Sequence, residues 1–193
     1  PFFNPGPLEH PNIPIYLAGV NERMCRAAGE VADGFHVHPV HSTGYIRDVI
    51  KPAIATGAAS SGRSVDDIAL YAPVFAVTGE TEAARAESEA EVRRQISFYG
   101  STPNYRAVLE YHDCGGIAKE LSALVRQGEF DAMAKLVPDS LMDAVAISAP
   151  PGDLGRALRQ RYDGVLDRVS LYFPIQAEDA DASWKRFVQT FKG

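Results

Sequence analysis

The sequence contains few cysteines, no long apolar run and no cluster of positive charge, and each of these shortages excludes a class of protein. Cys25 and Cys114 are the only cysteines, and their separation does not fit a disulfide framework or a paired metal-ligand motif. No apolar run approaches the roughly 20 residues that a membrane helix requires. Lysine and arginine are dispersed and the formal net charge is −6, so we expect no nucleic acid and no membrane as partners.

The remaining composition is that of a globular protein with a sizeable core. Of the 193 residues, 46% are apolar and 23% are charged. Both kinds are mixed along the whole chain, which predicts a single domain, residues 1–193. Reduced thiols are the simplest state for the cysteines, and we expect a cytoplasmic location. The sequence opens on a proline-rich stretch, residues 1–7, without methionine, and we expect the chain to be cut or processed from a longer one.

Four apolar segments rich in β-formers predict buried strands, and helical spacing follows each of them. The predicted strands cover residues 13–18, 35–38, 68–78 and 168–173. The predicted helices cover residues 21–32, 43–56, 80–99 and 152–162, and a last one in which Trp184, Phe187, Val188 and Phe191 share a buried face. The alternation predicts parallel strands joined by crossovers. Apolar runs without a period of two predict strands that are covered on both faces.

Two architectures satisfy this pattern, a small doubly wound sheet and half of an eight-stranded barrel. Composition does not choose between them. Pro52 lies inside the second predicted helix and predicts a kink. Residues 102–143 are helical but interrupted by glycine and proline, which predicts an insert of three short helices, and residues 144–148 follow as a brief extended piece.

Two motifs at the start of the chain favour the barrel. Residues 12–21 read N-I-P-I-Y-L-A-G-V-N, and residues 28–34 read A-G-E-V-A-D-G. They resemble the luciferase-like monooxygenase superfamily, whose members carry P-I-Y-L-A-G and A-G-x-x-A-D-G at strand five and its helix. The resemblance continues through residues 51–53 and 57–58, and it resumes at residues 167–172, which are similar to the family's eighth strand.

The resemblance implies an α/β fold, the C-terminal half (strands 5–8) of a TIM (β/α)8 barrel with the helical insert before the last strand. In detail the chain is similar to the branch that uses coenzyme F420, with FMN as the alternative cofactor. An oxidoreductase or monooxygenase is therefore implied, which transfers hydride to a small organic substrate. The family's catalytic residues lie mainly on the first four strands, so we assign none here and expect this part alone to be inactive.

A half barrel leaves two open sheet edges, and open edges favour pairing with another chain. We therefore expect the N-terminal half of the barrel or a second copy as partner, and a homo-oligomer, such as a dimer, supported by the insert. Two alternative functions stay open. One is a stand-alone phosphate- or nucleotide-binding α/β module, and the other is a non-catalytic assembly domain.

The turn after the first predicted strand is the candidate cofactor site. The backbone turns at Gly19, and a helix that starts at Asn21 as its N-cap presents free N–H groups to an anion. The resemblance places the cofactor phosphate at this turn and so implies cofactor-binding roles for Ala18, Gly19, Val20 and Asn21. An ordinary strand-to-helix turn is the alternative. Further along the helix, Ala28, Gly29 and Ala32 predict close packing on a strand.

Three histidines lie in and after the second predicted strand. Strand alternation places His36 and His38 on one side, but no acidic or cysteine ligand is near and the family uses no metal, so we predict no metal site. The carboxyl ends of barrel strands carry the active site, which predicts a substrate pocket with His38, His41 and Tyr71. The alternatives are a solvent-exposed loop position for His41 and core packing for Tyr71.

Overall fold

The structure is a computed structural model that describes residues 6–7, 9–173 and 180–192. Most of the proline-rich opening therefore lies outside the described residues. The strands are β1 (Tyr16–Gly19), β2 (Gly34–Val37), β3 (Ala69–Val77), β4 (Ala146–Ser148) and β5 (Arg168–Leu171). The α-helices are α1 (Glu22–Val31), α2 (Thr43–Tyr45), α3 (Lys51–Ser60), α4 (Glu82–Gly100), α5 (Arg106–Tyr111), α6 (Ala118–Gln127), α7 (Phe130–Lys135), α8 (Asp139–Val145), α9 (Leu154–Tyr162) and α10 (Ala180–Lys192).

The strands form one parallel sheet in which β3 is the longest strand and pairs with three others. Its first residues pair with β2, residues 71–74 pair with β5, and residues 75–77 pair with β4. The remaining pairing joins β1 to β2. Helices connect consecutive strands, as parallel pairing requires, and the predicted α/β fold is confirmed. The extended piece predicted at residues 144–148 is β4.

The first strand begins later than predicted because nothing in the described chain covers its predicted start. Ile13 is 72% exposed and Ile15 is 63% exposed, so the prediction of a buried strand over residues 13–18 is wrong for both isoleucines. The backbone N–H of Ile15 donates to the Asp33 carboxylate at 2.8 Å, and the N–H of Asp33 donates to the Ile15 carbonyl. These two hydrogen bonds join the chain before β1 to the turn before β2.

Helices cover only one face of the described sheet. Along β2, Phe35 and Val37 are buried, whereas His36 between them is exposed. Along β3, Leu70 and Ala72 are buried, whereas Tyr71 between them is half-buried. The prediction of coverage on both faces is therefore wrong for these residues. Buried and more exposed side chains alternate along both strands, and this alternation is hard to recognise in the sequence because the apolar runs are short.

Residues 43–60 form a continuous helix that contains one wide turn. A π-helical turn, Ile46–Ile50, separates α2 from α3, and Pro52 is the second residue of α3. Proline has no N–H, and its ring would press against the carbonyl group four residues earlier in a regular helix. The wide turn lies directly before it and relieves that contact. The kink predicted at Pro52 thus takes the form of a π turn.

Glycines let α1 and α3 approach closely. A Cβ atom on Gly29 would lie 2.1 Å from the Ile54 carbonyl oxygen, and one on Gly57 would lie 2.0 Å from the Arg26 carbonyl oxygen. Each helix therefore presses its backbone against a glycine of the other. The small residues of α1 were predicted to pack on a strand, and for Gly29 this is wrong because its closest neighbours belong to α3.

The insert contains four α-helices, α5 to α8, rather than the predicted three. Arg93 on α4 joins this region to the rest of the fold, because its guanidinium donates to the Val137 carbonyl at 2.7 Å and pairs with Asp139 at the start of α8. Leu121 on α6 and Met133 on α7 are fully buried in this region. Near the end of the chain, Val188 is exposed, so its predicted place on the buried face of α10 is wrong.

Candidate functional site

The carboxyl ends of the strands meet at one edge of the sheet, and this edge is where ligands bind in such folds. The segments that leave this edge begin after Gly19, Val37, Val77 and Leu171. The turn into α1, the loop after β2, the end of α4 with the following insert, and the residues after β5 all come together there. We call this edge the mouth.

The turn of residues 18–21 has the form predicted for it, with one difference. Asn21 occupies the N-cap position of α1, but its side chain makes no capping hydrogen bond. The Asn21 amide instead donates to the carbonyl of Asn104 in the insert at 3.1 Å. A Cβ on Gly19 would lie 2.5 Å from the Cβ of Met24, so the glycine lets the start of α1 pack against the end of β1.

Several features of this turn suit a phosphate group. Ala18 and Asn21 are exposed, and the backbone N–H groups of Glu22 and Arg23 donate to no acceptor among the described residues. Free N–H groups and the dipole of a ten-residue helix favour an anion at this position. A cleft of about 530 Å³ opens beside the turn; Arg23 contributes a cation to its wall, and Glu22 and Glu110 contribute carboxylates.

His38, predicted for the substrate pocket, lies at the mouth within a group of tyrosines. Its ring is 4.5 Å from the ring of Tyr99 at the end of α4 and 4.5 Å from the ring of Tyr105. The hydroxyls of Tyr99 and Tyr172 lie 3.0 Å apart, and the Tyr172 ring packs on Phe75. We call His38, Tyr99, Tyr105 and Tyr172 the mouth cluster.

Burial keeps His38, Tyr105 and Tyr172 of the mouth cluster uncharged at neutral pH. Burial lowers the pKa of His38 to about 4, so its imidazole is neutral. Burial raises the pKa of Tyr105. Burial, together with the hydrogen bond to Tyr99, raises the pKa of Tyr172 to about 12. All of these groups therefore act as neutral hydrogen-bonding groups.

His41 was also predicted for the substrate pocket, but the structure gives it a different environment. The side chain is 1% exposed, so the alternative of a solvent-exposed loop histidine is wrong. Its Nδ1 lies 2.7 Å from the carbonyl oxygen of His38, and its Nε2 lies 3.1 Å from the hydroxyl of Tyr162. Nδ1 therefore carries the proton and Nε2 accepts from Tyr162, which leaves no ring nitrogen for a ligand. This geometry favours a structural role.

Tyr71, the third predicted pocket residue, lies on the uncovered face of the sheet. Its ring contacts the ring of His36 at 4.5 Å, and the ring of His36 contacts Tyr16 at 5.4 Å. The hydroxyl of Tyr71 is 2.6 Å from that of Ser170 on β5. Tyr16, His36, Tyr71 and Ser170 thus form a row across four strands, which we call the inner row.

Sequence reasoning missed most of the mouth cluster. Tyr105 was assigned only to the insert, and Tyr99 and Tyr172 only to a helix and a strand. The contacts join residues 67 and 73 positions apart, so no local spacing could indicate them. Tyr172 lies inside the predicted strand of residues 168–173, whereas the observed β5 ends at Leu171 and leaves Tyr172 just after it, at the mouth.

The described part of the chain offers neither a metal-ligand cluster nor a membrane-spanning helix. Among residues 6–7, 9–173 and 180–192, no group of three or more histidine, cysteine, aspartate or glutamate side chains is placed to hold a metal ion. Within the same residues, no helix has the length and apolar character needed to cross a membrane.

The parallel sheet, its helices and its open inner face define an α/β protein that corresponds to part of a (β/α)8 barrel. A family model described as luciferase-like monooxygenase matches residues 1–168. The chain belongs to this family, as its two motifs predicted.

Two curated relatives match over nearly the whole chain. An uncharacterized protein of Mycobacterium bovis is 39% identical over 179 residues, which cover 93% of this chain and 53% of the relative. The 5,10-methylenetetrahydromethanopterin reductase of Methanolobus tindarius is 32% identical over 168 residues, which cover 85% of this chain and 49% of the relative. The chain therefore spans about half the length of the curated relatives it matches.

The fold is similar to that of a solved oxidoreductase. The coenzyme F420-dependent tetrahydromethanopterin reductase of Methanopyrus kandleri superimposes with a TM-score of 0.69 and 22% sequence identity. The match covers 91% of this chain and 49% of that structure. At this identity the likeness establishes the fold, which is that of a partial barrel.

Proposed function

We propose that this chain forms the C-terminal half of an F420-dependent oxidoreductase that transfers hydride to a small organic substrate. The observation that carries the proposal is the inner row, which lies on a sheet face left without helices in a family built on closed barrels. Side chains on that face of a barrel strand fill the barrel interior or line the active site at its mouth. Family membership and the half-length matches support the same proposal.

The other half of the barrel is the partner that this face requires. Open strand edges and an uncovered apolar or aromatic face are stabilised by pairing with further strands. We propose that four preceding strands of the same protein supply that pairing and most of the catalytic groups. If a second copy of this half pairs with the sheet instead, the partner named here is wrong.

The residues of the α1 turn fit one end of the cofactor. The free N–H groups of Glu22 and Arg23, beside the exposed Ala18 and Asn21, would hold a phosphate. Bound F420 would supply the hydride chemistry, and this chain would bind and orient it at the mouth. FMN also carries a phosphate, and separate titrations with F420 and with FMN distinguish the two cofactors.

Titration of the purified full-length protein tests the proposal. We expect F420 to bind, with a change in its absorbance near its visible band, and FMN to bind more weakly. Binding of neither cofactor would overturn the oxidoreductase proposal and leave a phosphate-binding module or an assembly domain. Tighter binding of FMN would retain the oxidoreductase and replace its cofactor.

A charge substitution tests the turn itself. Asn21→Asp adds a carboxylate beside the proposed phosphate, and we expect F420 binding to weaken about tenfold because of like-charge repulsion. Gln160→Glu adds the same charge at an exposed position of α9 and should leave binding unchanged. Equal effects of the two substitutions would contradict the assignment of the phosphate to this turn.

A further inference from the structure

The hydrogen-bond pattern of the mouth cluster fixes which nitrogen of His38 carries its proton. The backbone N–H of Val40 donates to Nδ1 of His38 at 3.2 Å, so Nδ1 must be the unprotonated nitrogen. The neutral ring then carries hydrogen on Nε2. Nε2 lies 3.0 Å from the hydroxyl oxygen of Tyr105, and it is therefore the donor in that bond.

This arrangement leaves the hydroxyl hydrogen of Tyr105 without an acceptor among the residues that the structure describes. A tyrosine hydroxyl can accept one hydrogen bond while it donates another. Tyr105 accepts from His38, and no residue in the described part of the chain accepts from Tyr105. Tyr105 is half-buried, and a half-buried donor at a sheet mouth is well placed to meet a ligand. The Tyr99 and Tyr172 hydroxyls bond to each other, so one of the two donates and the other accepts.

The described surroundings of this hydroxyl are mainly aromatic rings tilted against one another, and the charge of Glu91 acts on them by contributing to the raised pKa of Tyr172. The ring of Tyr99 lies 5.1 Å from the ring of Tyr105, and the Tyr172 ring continues the same wall. Among the described residues, no charged group forms an ion pair or hydrogen bond with the mouth cluster. Arg168 is the first residue of β5 and so lies at the opposite end of that strand.

We propose that the Tyr105 hydroxyl, held in place by His38, donates a hydrogen bond to the carbonyl oxygen of an uncharged, planar substrate that packs against Tyr99 and Tyr172. The proposal rests on the proposed function, because it names the substrate class of the barrel mouth. His38 acts through Tyr105 and is a positioning residue. The donated bond polarises the carbonyl group.

A labelled ketone tests this proposal in the full-length protein. The probe is 4-fluoroacetophenone with a 13C-labelled carbonyl, titrated with observation of its fluorine and carbonyl carbon resonances. We expect binding to the unmodified protein and a downfield shift of the carbonyl carbon, since a donated hydrogen bond withdraws electron density from it. Tyr105→Phe should abolish that shift and weaken binding about fivefold, the effect of one neutral hydrogen bond.

Tyr111→Phe is the matched control. It removes another tyrosine hydroxyl of the insert, one that bonds to Asp48 and borders the cleft beside the α1 turn but makes no contact with the mouth cluster among the described residues, and should leave the probe's binding and shift unchanged. The proposal is overturned if the unmodified protein does not bind the ketone, if Tyr105→Phe retains the carbonyl shift, or if the control loses it equally.

A second measurement uses the unmodified protein alone and guards against a Tyr105→Phe variant that fails to fold. Nitrogen-15 NMR of the histidines should show His38 neutral at pH 7 with its proton on Nε2. A proton on Nδ1 would overturn the proposal. Ketone binding without F420 binding would retain this subsite and reject the proposed function, whereas F420 binding without ketone binding would do the reverse.

Discussion

The imidazole Nε2 of His41 lies 3.1 Å from the hydroxyl of Tyr162, and this contact joins the loop after β2 to α9 across 121 residues of sequence. Both side chains are buried. The other ring nitrogen of His41 bonds to the carbonyl of His38, so the same imidazole also fixes the backbone of the mouth cluster. The loop that carries His38 is therefore held by a buried residue whose two ring nitrogens both bond within the fold.

Removal of this contact should destabilise the protein. We expect Tyr162→Phe to lower the free energy of unfolding by about 1 kcal/mol, and His41→Ala by about 3 kcal/mol because it also leaves a cavity and an unpaired carbonyl. Urea unfolding of the full-length protein, followed by circular dichroism, measures both. Tyr111→Phe, at an exposed hydroxyl, should change stability by less than about 0.5 kcal/mol, and an equal loss there would contradict the role of the buried bond.

The buried histidines should also make stability depend on pH. Burial lowers the pKa of His41 from 6.5 to about 4, against the opposing effect of its bond to His38, and the positive charge of Arg161 adds to the lowering. Burial lowers the pKa of His38 to about 4 as well. Below pH 6.5 the unfolded chain therefore binds protons that the folded chain does not, and protons favour the unfolded state.

The free energy of unfolding should accordingly be highest above pH 6.5, fall as the pH drops towards 4, and level off below that. The share of His41 is about 3 kcal/mol. Urea midpoints at pH 7, 5.5 and 4.5 measure the slope. His41→Gln, which cannot titrate, should be less stable at pH 7 but show a flatter profile, and an unchanged slope in this variant would contradict the assignment.

Local pattern predicted the elements, but it could not predict what covers them. Ile13 and Ile15 belong to an apolar run and yet are exposed. An apolar run shows which side chains are stabilised by burial, but it does not show whether another element lies next to them. The four residues of β2 are too few to distinguish a run from an alternation, and so the exposed His36 was not expected. Pro52 predicted a disturbance of its helix, whereas the π turn that accommodates it depends on how the whole helix packs.

The candidate site divides in the same way. His38 and the turn at Gly19 were predicted, because position after a strand is readable from sequence. Tyr99 and Tyr105 come to His38 through a long helix and a four-helix insert whose packing no periodicity describes. His41 has the same residue type and lies three positions after His38, but its burial and its bonds to the His38 carbonyl and Tyr162 give it a different environment, which local sequence does not show.

The crossing of α1 and α3 provides a prediction about packing. Gly29→Ala and Gly57→Ala would each place a methyl group about 2 Å from a backbone carbonyl oxygen of the other helix, and backbone atoms in packed helices cannot move aside cheaply. We expect each substitution to lower the free energy of unfolding by about 3 kcal/mol or more, although alanine is the better helix former. Thermal unfolding measures it. Gly116→Ala, where a Cβ would meet nothing within 4 Å, should be close to neutral, and a neutral result at Gly29 would refute the close crossing.

The end of α1 supplies the last prediction, because its last turn contains no basic residue. Arg63, from the turn after α3, donates to the carbonyl oxygen of Gly29 at 3.1 Å and to that of Ala32 at 2.7 Å. The guanidinium therefore satisfies carbonyl groups at the negative end of the helix dipole. Arg63→Gln should lower the free energy of unfolding by about 1–2 kcal/mol.

Arg63→Lys separates the charge from the geometry of this bond. Lysine keeps the positive charge but lacks the planar guanidinium that reaches two carbonyl groups together. The free energy of unfolding of the lysine variant should therefore lie between those of the unmodified protein and the glutamine variant. Arg106→Gln removes an exposed arginine that pairs with Glu110 on its own helix, and it should lower the free energy of unfolding by less than about 0.5 kcal/mol. Urea unfolding of the three variants gives the order, and a lysine variant as unstable as the glutamine variant would show that the planar guanidinium geometry, and not the charge, holds the end of α1.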